Sequence, residues 1–244
     1  MRLDVYLYTN GFCDSRSKSQ NIIAAGRVTV DGNIVTKSSF DVTDKNNVSV
    51  SESDTYEFVG RGGKKLEHTF SCFDYEVKGK ICLDIGASTG GFTECLLLHG
   101  ADFVYAVDSG TGQLAKALHE DCRVKSIEGF NARNLTSDDL DGKKMDVIVM
   151  DVSFISQKLL YPAILRVAGN NCDVITLIKP QFEAGKQYVG KKGIVKDTKV
   201  RKKVVEDVIS CAEEMGFKYV NLTESPITGG DGNIEFLLHL RVNS

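Results

Sequence analysis

The sequence predicts an α/β protein with a doubly wound (Rossmann-like), mostly parallel sheet, preceded by a small α+β domain. From residue 80 onward, short apolar runs alternate with amphipathic stretches, which is the pattern of a parallel sheet covered by helices. One apolar run leads into the glycine-rich segment 86–91, as expected for a strand that turns tightly into a helix. The first 50 residues instead show two short helical patterns followed by a hairpin pattern.

Length and composition limit the class of protein. The 244 residues suffice for one large and one small domain, and the net charge of -3 means that nucleic-acid contacts must come from local basic patches. The seven cysteines include no Cys-x-x-Cys pair and form no evident ligand spacing with the four histidines, so we expect reduced thiols and no metal. There is no signal peptide and no apolar run of about 18 residues, which predicts a cytoplasmic protein without membrane contact.

The N-terminal segment has the predicted elements of a small compact domain. Helices are predicted over residues 2–11 and 15–25, the second with Ser15 as its N-cap. Strands over 28–30 and 34–35 flank an Asp-Gly turn, and residues 48–50 would close the sheet. These patterns predict a small domain over residues 1–52, a polar linker over 53–60 and a large domain over 61–244.

The large domain is predicted to alternate strands with helices. Seven apolar runs are interpreted as strands, at 81–85, 103–107, 124–127, 147–150, 174–178, 219–222 and 234–240. Helices are predicted at 91–99, 112–119, 157–168 and 196–215. No helix pattern separates the last two strands, which indicates a terminal antiparallel pair.

The glycine-rich turn indicates a cofactor site. It lacks both the Gly-Lys-Ser/Thr ending of a phosphate loop and the Gly-x-Gly-x-x-Gly of a dinucleotide site. Asp84 at the end of the strand suits a cationic ligand such as S-adenosylmethionine, and Asp108 after the next strand can accept hydrogen bonds from ribose hydroxyls. The predicted cofactor-binding residues are Asp84, Gly86, Ser88, Gly90, Gly91, Phe92, Asp108 and Asn131.

Four further charged residues lie at strand ends or at the domain junction. Asp151 and Lys179 follow two predicted strands, Glu235 lies in an apolar run, and Lys65 lies beyond the linker. For Lys179 alone, a structural ion pair or a solvated lysine at a strand end is the simpler interpretation, whereas a charge such as Glu235 among apolar residues needs a partner.

Several motifs together resemble the hemolysin-A-like (TlyA-type) ribosomal RNA methyltransferases. They are Arg-Gly-Gly-Lys-Lys-Leu at 61–66, Leu-Asp-Ile-Gly-Ala-Ser-Thr-Gly-Gly-Phe-Thr at 83–93, Asp-Val-Ser-Phe-Ile-Ser at 151–156, Ile-Lys-Pro-Gln-Phe-Glu-Ala-Gly at 178–185, Lys-Gly-Ile-Val at 192–195 and Gly-Asn-Ile-Glu-Phe at 232–236. The N-terminal segment resembles the RNA-binding domain of the small ribosomal subunit's S-four protein, and the catalytic domain of this family is of the FtsJ type.

The resemblance implies a reaction and the residues that carry it. Lys65, Asp151, Lys179 and Glu235 match the Lys-Asp-Lys-Glu tetrad of ribose 2′-O-methyltransferases. Lys179 would then be the general base for methyl transfer from S-adenosylmethionine to a ribose 2′-hydroxyl of ribosomal RNA, with cytidine as the expected nucleoside.

Basic residues predict where RNA would bind. Residues 179–203 contain nine Lys or Arg against two acids, although a solvated helix face is the simpler interpretation of such a segment. The predicted RNA-binding residues are Arg2, Arg16, Lys18, Arg27, Arg61, Lys186, Lys191 and Lys192, and the expected partner is ribosomal RNA or a ribosomal subunit.

Other functions stay open at this point. An RNA base methyltransferase is the nearest alternative, but a cytosine-C5 enzyme needs a nucleophilic cysteine and residues 151–154 have none. An RNA-binding protein with membrane-lytic activity is a second alternative, and a catalytically idle RNA-binding module is a third.

Overall fold

The computed structural model describes residues 1–13, 16–24, 26–43, 45–50, 58–230 and 232–242, without the side chains of residues 17, 18 and 21. The chain divides into two compact units, residues 1–57 and 58–244. Most of the predicted linker, residues 53–57, lies outside the described residues, so the predicted limits at 52 and 61 stay predictions.

The small unit contains two helices and a three-stranded sheet. Its elements are α1 (Leu3–Thr9), α2 (Arg16–Ala24), β1 (Val28–Val30), β2 (Asn33–Ile34) and β3 (Val48–Val50), and the strand order is β2-β1-β3. Asp31 and Gly32 both have positive φ, which is the geometry of the predicted two-residue hairpin turn. The predicted helices, hairpin and third strand are therefore confirmed, while the predicted cap Ser15 lies outside the described residues.

The large unit alternates strands with helices as predicted. Its strands are β4 (Ile81–Ile85), β5 (Phe103–Val107), β6 (Val124–Ile127), β7 (Met145–Met150), β8 (Ala168–Ile178), β9 (Phe217–Glu224) and β10 (Phe236–Val242). Its helices are α3 (Gly62–Cys72), α4 (Gly91–Leu98), α5 (Lys116–His119), α6 (Tyr161–Val167), α7 (Pro180–Glu183) and α8 (Thr198–Glu214). Four short 3-10 segments occur at Ala132–Asn134, Asp138–Leu140, Gln157–Leu160 and Lys186–Tyr188.

The seven strands of the large unit form one sheet in the order β6-β5-β4-β7-β8-β10-β9. Strands β4 to β8 are parallel, and β10 is antiparallel to both of its neighbours. The chain runs outward from β4 to β6 and then returns to place β7 on the other side of β4. Ligands of such sheets bind at the carboxyl ends of the strands at this reversal, so the topology locates the site between β4 and β7.

Each face of this sheet is covered by its own helices. One apolar cluster joins the sheet to α6 and α8 through residues such as Ile164 and Val208, and the other joins it to α3 and α4 through Leu66 and Leu96. Alternate residues along each central strand belong to opposite clusters, as the two-residue period of a strand requires. No helix in the described ranges is both long and apolar enough to cross a membrane.

Several elements differ from the prediction, among them α7, which was not predicted, and β8, which begins at Ala168 and not at residue 174. Helix α3 was not predicted, and the helix expected over 112–119 is reduced to α5. The Glu128 carboxylate accepts hydrogen bonds from the backbone N–H groups of Gly112, Gln113 and Leu114, which holds those residues in a loop. The last strand begins at Phe236, so Glu235 precedes the strand and is not part of its ladder.

Candidate active site

The glycine-rich turn after β4 packs closely against two other segments. Gly86 and Gly90 have φ of 87° and 97°, a region that side chains other than glycine's rarely permit. A Cβ at Gly86 would collide with the backbone carbonyl of Asp151, and one at Gly91 would lie 2.9 Å from the carbonyl oxygen of Gly60. Glycine at these positions therefore lets the turn lie directly against the ends of β7 and the segment before α3.

The Asp108 carboxylate connects the glycine-rich turn after β4 with the turn after β5. It accepts a hydrogen bond from Ser88 N at 2.8 Å and another from Gly110 N at 2.7 Å. Asp108 lies in the wall of a first cavity of about 420 Å³ at the carboxyl ends of β4, β5 and β7. Of the predicted cofactor-binding residues, this wall contains Gly86, Ser88, Asp108 and Asn131.

Asp84 is placed differently from the expectation that it contacts the ligand directly. The carboxylate is fully buried and lines neither this cavity nor the second one. Thr93 Oγ1 donates to one of its oxygens at 2.7 Å, and the other has no hydrogen-bond partner among the described residues. Burial raises the pKa of Asp84 to about 7, so the group changes charge near neutral pH.

A second cavity of about 240 Å³ adjoins the first. The two share Gly86, Ser88, Asp151 and Ser153 in their walls. The second wall also contains the predicted residues Arg61, Gly91, Phe92 and Lys179. Gly90, although predicted as a cofactor residue, is buried against Leu114 and Leu118 and lines neither cavity.

The four predicted tetrad residues form one continuous chain of ion pairs. Lys179 Nζ lies 2.6 Å from Asp151 Oδ1, and Asp151 Oδ2 lies 3.7 Å from Lys65 Nζ. Lys65 Nζ donates to Glu235 Oε2 at 2.7 Å. The side chains of Lys65 and Glu235 are only 7% and 2% exposed, and that of Lys179 is 12% exposed. The partner that the buried charge of Glu235 requires is thus Lys65.

The sheet register explains how distant segments supply these four residues. Phe236 pairs with Ile178 in the antiparallel β8–β10 ladder, so Glu235 and Lys179 leave the ladder at the same edge. Asp151 follows β7, the other neighbour of β8, and Lys65 reaches the same edge from α3.

Two residues of the site were missed by sequence reasoning. Ser153 Oγ accepts a hydrogen bond from Lys179 Nζ at 2.8 Å. Phe154 has φ of 64° and a side chain 91% exposed, and its ring centroid lies 5.1 Å from that of Phe182. A large aromatic residue rarely adopts positive φ or such exposure without a role. Their position directly after Asp151 in the Asp-Val-Ser-Phe motif was the available signal.

Two sets of hydrogen bonds explain motifs to which the sequence alone assigned no role. The Glu183 carboxylate accepts hydrogen bonds from Ser156 Oγ and Gln157 N, both at 2.7 Å, which fixes the loop after β7 to α7. Asn233 accepts a hydrogen bond from Val195 N at 3.0 Å and donates to Gly193 O at 2.9 Å. Each motif therefore positions a loop beside the tetrad.

The predicted RNA-binding residues are divided between the two units. In the small unit, Arg2 and Arg16 both hydrogen-bond to the buried carboxylate of Asp4, and these contacts hold the pKa of Asp4 well below its usual range. Arg27 is half-buried, and the side chain of Lys18 lies outside the described part.

In the large unit, Arg61 donates to Thr228 O at 3.1 Å beside the second cavity. Lys186, Lys191 and Lys192 are exposed between α7 and α8.

Comparison with known proteins identifies the family. Residues 58–242 match the FtsJ-like methyltransferase family. The chain belongs to the FtsJ-like methyltransferase family. Residues 1–48 match the S4 domain, so the family and fold expected from the sequence are confirmed. As a member of the FtsJ-like family with this fold, the chain is a methyltransferase that uses S-adenosylmethionine.

Relatives extend over nearly the whole chain. Hemolysin A of Brachyspira hyodysenteriae is 48% identical over 98% of this chain and 99% of its own length. The 16S/23S rRNA (cytidine-2′-O)-methyltransferase TlyA of Mycobacterium tuberculosis is 41% identical over 100% of this chain and 90% of its own. A solved structure from Streptococcus thermophilus is 39% identical with a TM-score of 0.79, covering 100% of this chain and 89% of that one. The similarity to these relatives therefore covers both the S4 region and the FtsJ-like region of this chain.

Proposed function

We propose that this methyltransferase acts on the ribose 2′-hydroxyl of a cytidine in ribosomal RNA. The observation that carries the proposal is the ion-pair chain from Lys179 through Asp151 and Lys65 to Glu235. Asp151 lines both cavities and Lys179 lines the second. Support for the substrate comes from the Mycobacterium tuberculosis relative, whose name specifies cytidine-2′-O methylation of 16S and 23S rRNA.

The first cavity fits S-adenosylmethionine in size and chemistry. Its volume of about 420 Å³ lies within the range of small-molecule sites. Gly86, Ser88 and Asn131 line the cavity, Asp108 offers acceptors for ribose hydroxyls, and the buried Asp84 provides negative charge nearby. The donor, when bound, supplies a methyl group on a positively charged sulfonium. The cofactor residues we propose are those predicted from the sequence. Of these, Asp84 and Gly90 line neither cavity and would act without touching the donor.

Lys179 is the residue that can accept the hydroxyl proton. Ser153 and Asp151 hold its amine at the junction of the cavities, and Lys65 engages the other oxygen of Asp151. In this scheme Lys179 first releases its own proton to solvent, which leaves the four tetrad side chains with one net negative charge. That charge suits a site for a cationic donor. Uptake of the hydroxyl proton by Lys179 returns the tetrad to neutrality. Lys65, Asp151 and Glu235 are positioning residues in this scheme, because they act through Lys179.

Phe154 and the exposed basic residues supply the RNA contacts in this proposal. The Phe154 ring is exposed in the wall of the first cavity, and aromatic faces stack on unpaired bases whatever their sequence. Arg61, Lys186, Lys191 and Lys192 would contact phosphates around the target nucleotide. The S4 domain would add Arg2 and Arg16, which Asp4 holds in place, together with Lys18 and Arg27.

Transfer of a tritiated methyl group tests the proposed reaction. Ribosomal subunits are incubated with labelled donor and the full chain, and the RNA is digested to nucleosides. We expect the label on the ribose of cytidine. Label on a base would contradict the proposal and favour a base methyltransferase. A liposome leakage assay on the same preparation is expected to stay at background.

The raised pKa of Asp84 predicts a pH-dependent affinity for the donor. The ionised carboxylate attracts a cation and the protonated form does not, so donor binding releases a proton from Asp84 below pH about 7. We expect donor affinity to rise as the pH increases and to be about tenfold weaker at pH 6 than at pH 8. Calorimetry measures this affinity at both pH values.

The matched controls are one variant and one ligand. Asp84→Asn should show a flat pH profile and a lower affinity at pH 8, since the variable charge is gone. S-adenosylhomocysteine, which lacks the sulfonium charge, should show a smaller pH effect on the unaltered protein. An equally steep profile in Asp84→Asn would remove Asp84 from the donor site.

Exposed lysines between α7 and α8 are expected to determine part of the salt dependence of RNA binding. Replacing Lys191 and Lys192 by glutamine should reduce the slope of log affinity against log salt by about 1 for each lysine. Filter binding of ribosomal RNA at several salt concentrations measures the slope. The control is Lys143→Gln. Lys143 precedes β7, at the amino ends of the parallel strands, so this variant should leave the slope unchanged. Equal slopes in the unaltered protein, the Lys191 and Lys192 variant and Lys143→Gln would mean that this surface does not bind RNA.

A further inference from the structure

A group of three potential metal ligands lies between α3 and α4, outside both cavities. Glu67 Oε2 lies 2.8 Å from His99 Nε2 and 3.5 Å from Cys95 Sγ. One ligand atom from each of the three residues lies within 4.8 Å of the others. Among the described residues, this is the one group of three or more His, Cys, Asp or Glu side chains with such spacing.

The donor atoms are those that zinc prefers in proteins. Zinc binds thiolate, imidazole and carboxylate, and its usual bond lengths in a tetrahedral site place neighbouring ligand atoms roughly 3.3–3.8 Å apart. The separations observed here, from 2.8 Å to at most 4.8 Å, require only small side-chain movements to reach that range. Cys95 and His99 lie one helical turn apart and so project from the same side of α4.

The histidine ring is already held in a binding orientation. The Phe70 ring stacks on the His99 ring with centroids 3.7 Å apart and an interplanar angle of 9°. The Cys95 side chain is buried, whereas Glu67 and His99 are partly open to solvent. This combination leaves an open position for a water molecule as a fourth ligand, as in zinc sites with three protein ligands.

We propose that Glu67, Cys95 and His99 bind one zinc ion, with water completing the coordination. Binding transfers the Cys95 thiol proton to solvent, and His99 coordinates through its neutral Nε2. The sequence predicts no metal, whereas this proposal combines the one-turn spacing of Cys95 and His99 with Glu67 from another helix. The proposal does not depend on which nucleotide the enzyme methylates.

Zinc at this position would connect the two helices that carry the active site. Glu67 lies on α3 two residues after Lys65, and α4 begins at the glycine-rich turn. An ion bound to both helices therefore stabilises the folded large unit and the placement of Lys65 relative to the turn. The ion would take no part in methyl transfer, since its three ligands lie outside the walls of both cavities.

Cobalt titration of the metal-free full chain tests the site, because Co²⁺ replaces Zn²⁺ and reports thiolate coordination by a near-ultraviolet charge-transfer band. We expect one Co²⁺ per chain, the thiolate band, and displacement by zinc. Glu67→Gln and His99→Gln each remove one ligand. Loss of a group that only hydrogen-bonds to a zinc ligand already costs ~10–100-fold in affinity, so each variant should weaken zinc binding by at least that factor. Cys95→Ser should remove the band.

Cys72 provides the matched control. Its Sγ lies 3.3 Å from His68 Nε2 on the exposed side of α3, yet the pair forms no three-ligand group with other described residues. Cys72→Ser should therefore keep the band and the affinity. A band lost in Cys72→Ser, or absent from the unaltered protein, would overturn the assignment.

Folding of the variants is checked separately, because Cys95 is fully buried and its replacement also alters packing. Glu67→Gln changes an exposed side chain and leaves the core intact. Zinc is expected to raise the unfolding temperature of the unaltered protein and of Cys72→Ser, but not that of Glu67→Gln. Unchanged zinc affinity in folded Glu67→Gln and His99→Gln would exclude the site even if Cys95→Ser fails to fold.

Discussion

Replacing Lys179 by alanine is expected to lower the rate of methyl transfer by at least the ~10²-fold typical of a lost general base. Its amine is held by Ser153 at 2.8 Å and by Asp151 at 2.6 Å where the two cavities meet. No His or Cys side chain lines either cavity, so no other such group is placed to accept the proton. Folding and donor binding should be retained, because Lys65 still provides a positive charge 3.7 Å from Asp151.

Single-turnover methyl transfer to ribosomal subunits measures this effect, with donor affinity determined in parallel. Lys179→Arg should not restore activity, because a guanidinium keeps its proton at any working pH. Lys143 precedes β7, at the amino ends of the parallel strands, and Lys143→Ala should behave as the unaltered protein. Near-normal turnover in Lys179→Ala would end the 2′-hydroxyl mechanism with Lys179 as base.

Removal of Glu235 should have the largest effect on stability. The Lys65–Glu235 pair is buried, and deleting one partner leaves the other charge without adequate compensation. Glu235→Ala is expected to lower the free energy of unfolding by about 3–5 kcal/mol. The remaining contact of Lys65, with Asp151 at 3.7 Å, is too long to replace the lost hydrogen bond at 2.7 Å.

Denaturant unfolding followed by circular dichroism measures the loss. The double replacement Lys65→Met with Glu235→Leu should regain most of the stability, since neither member of the pair is then left as an unpaired buried charge. It should stay inactive, because Asp151 then lacks its second cation. Glu206→Ala, which breaks an exposed ion pair with Lys202, is the control and should cost no more than about 1 kcal/mol. A Glu235→Ala effect as small as that of Glu206→Ala would mean that the pair is not buried in solution.

Patterns local in sequence were sufficient for most of the fold. The alternation of apolar runs and amphipathic stretches predicted the seven strands of the large sheet, and the Asp-Gly pair predicted the hairpin of the small unit. These predictions succeeded because strand burial and turn geometry depend on neighbouring residues. Local signals failed where a distant side chain decided the outcome, as when Glu128 removes residues 112–114 from a helix.

The candidate site was only partly predictable for the same reason. The sequence indicated that Lys65, Asp151, Lys179 and Glu235 are charged residues near one sheet edge. The order of the ion pairs along the tetrad depends on the β8–β10 register and on the position of α3, which no single segment encodes. The buried Asp84 shows the same limit, since its burial and its hydrogen bond from Thr93 depend on how α4 packs against the sheet.

The sequence alone therefore determined the class of the fold, the glycine-rich turn and the residue types available for chemistry, because these follow from periodicity and backbone freedom near each position. Only the tertiary structure decided which of those residues meet, which are buried, and which partners fix them. The partners of Glu235, Lys179 and Cys95 come from other strands or helices, so burial, charge pairing and metal-ligand geometry arise only when the chain has folded.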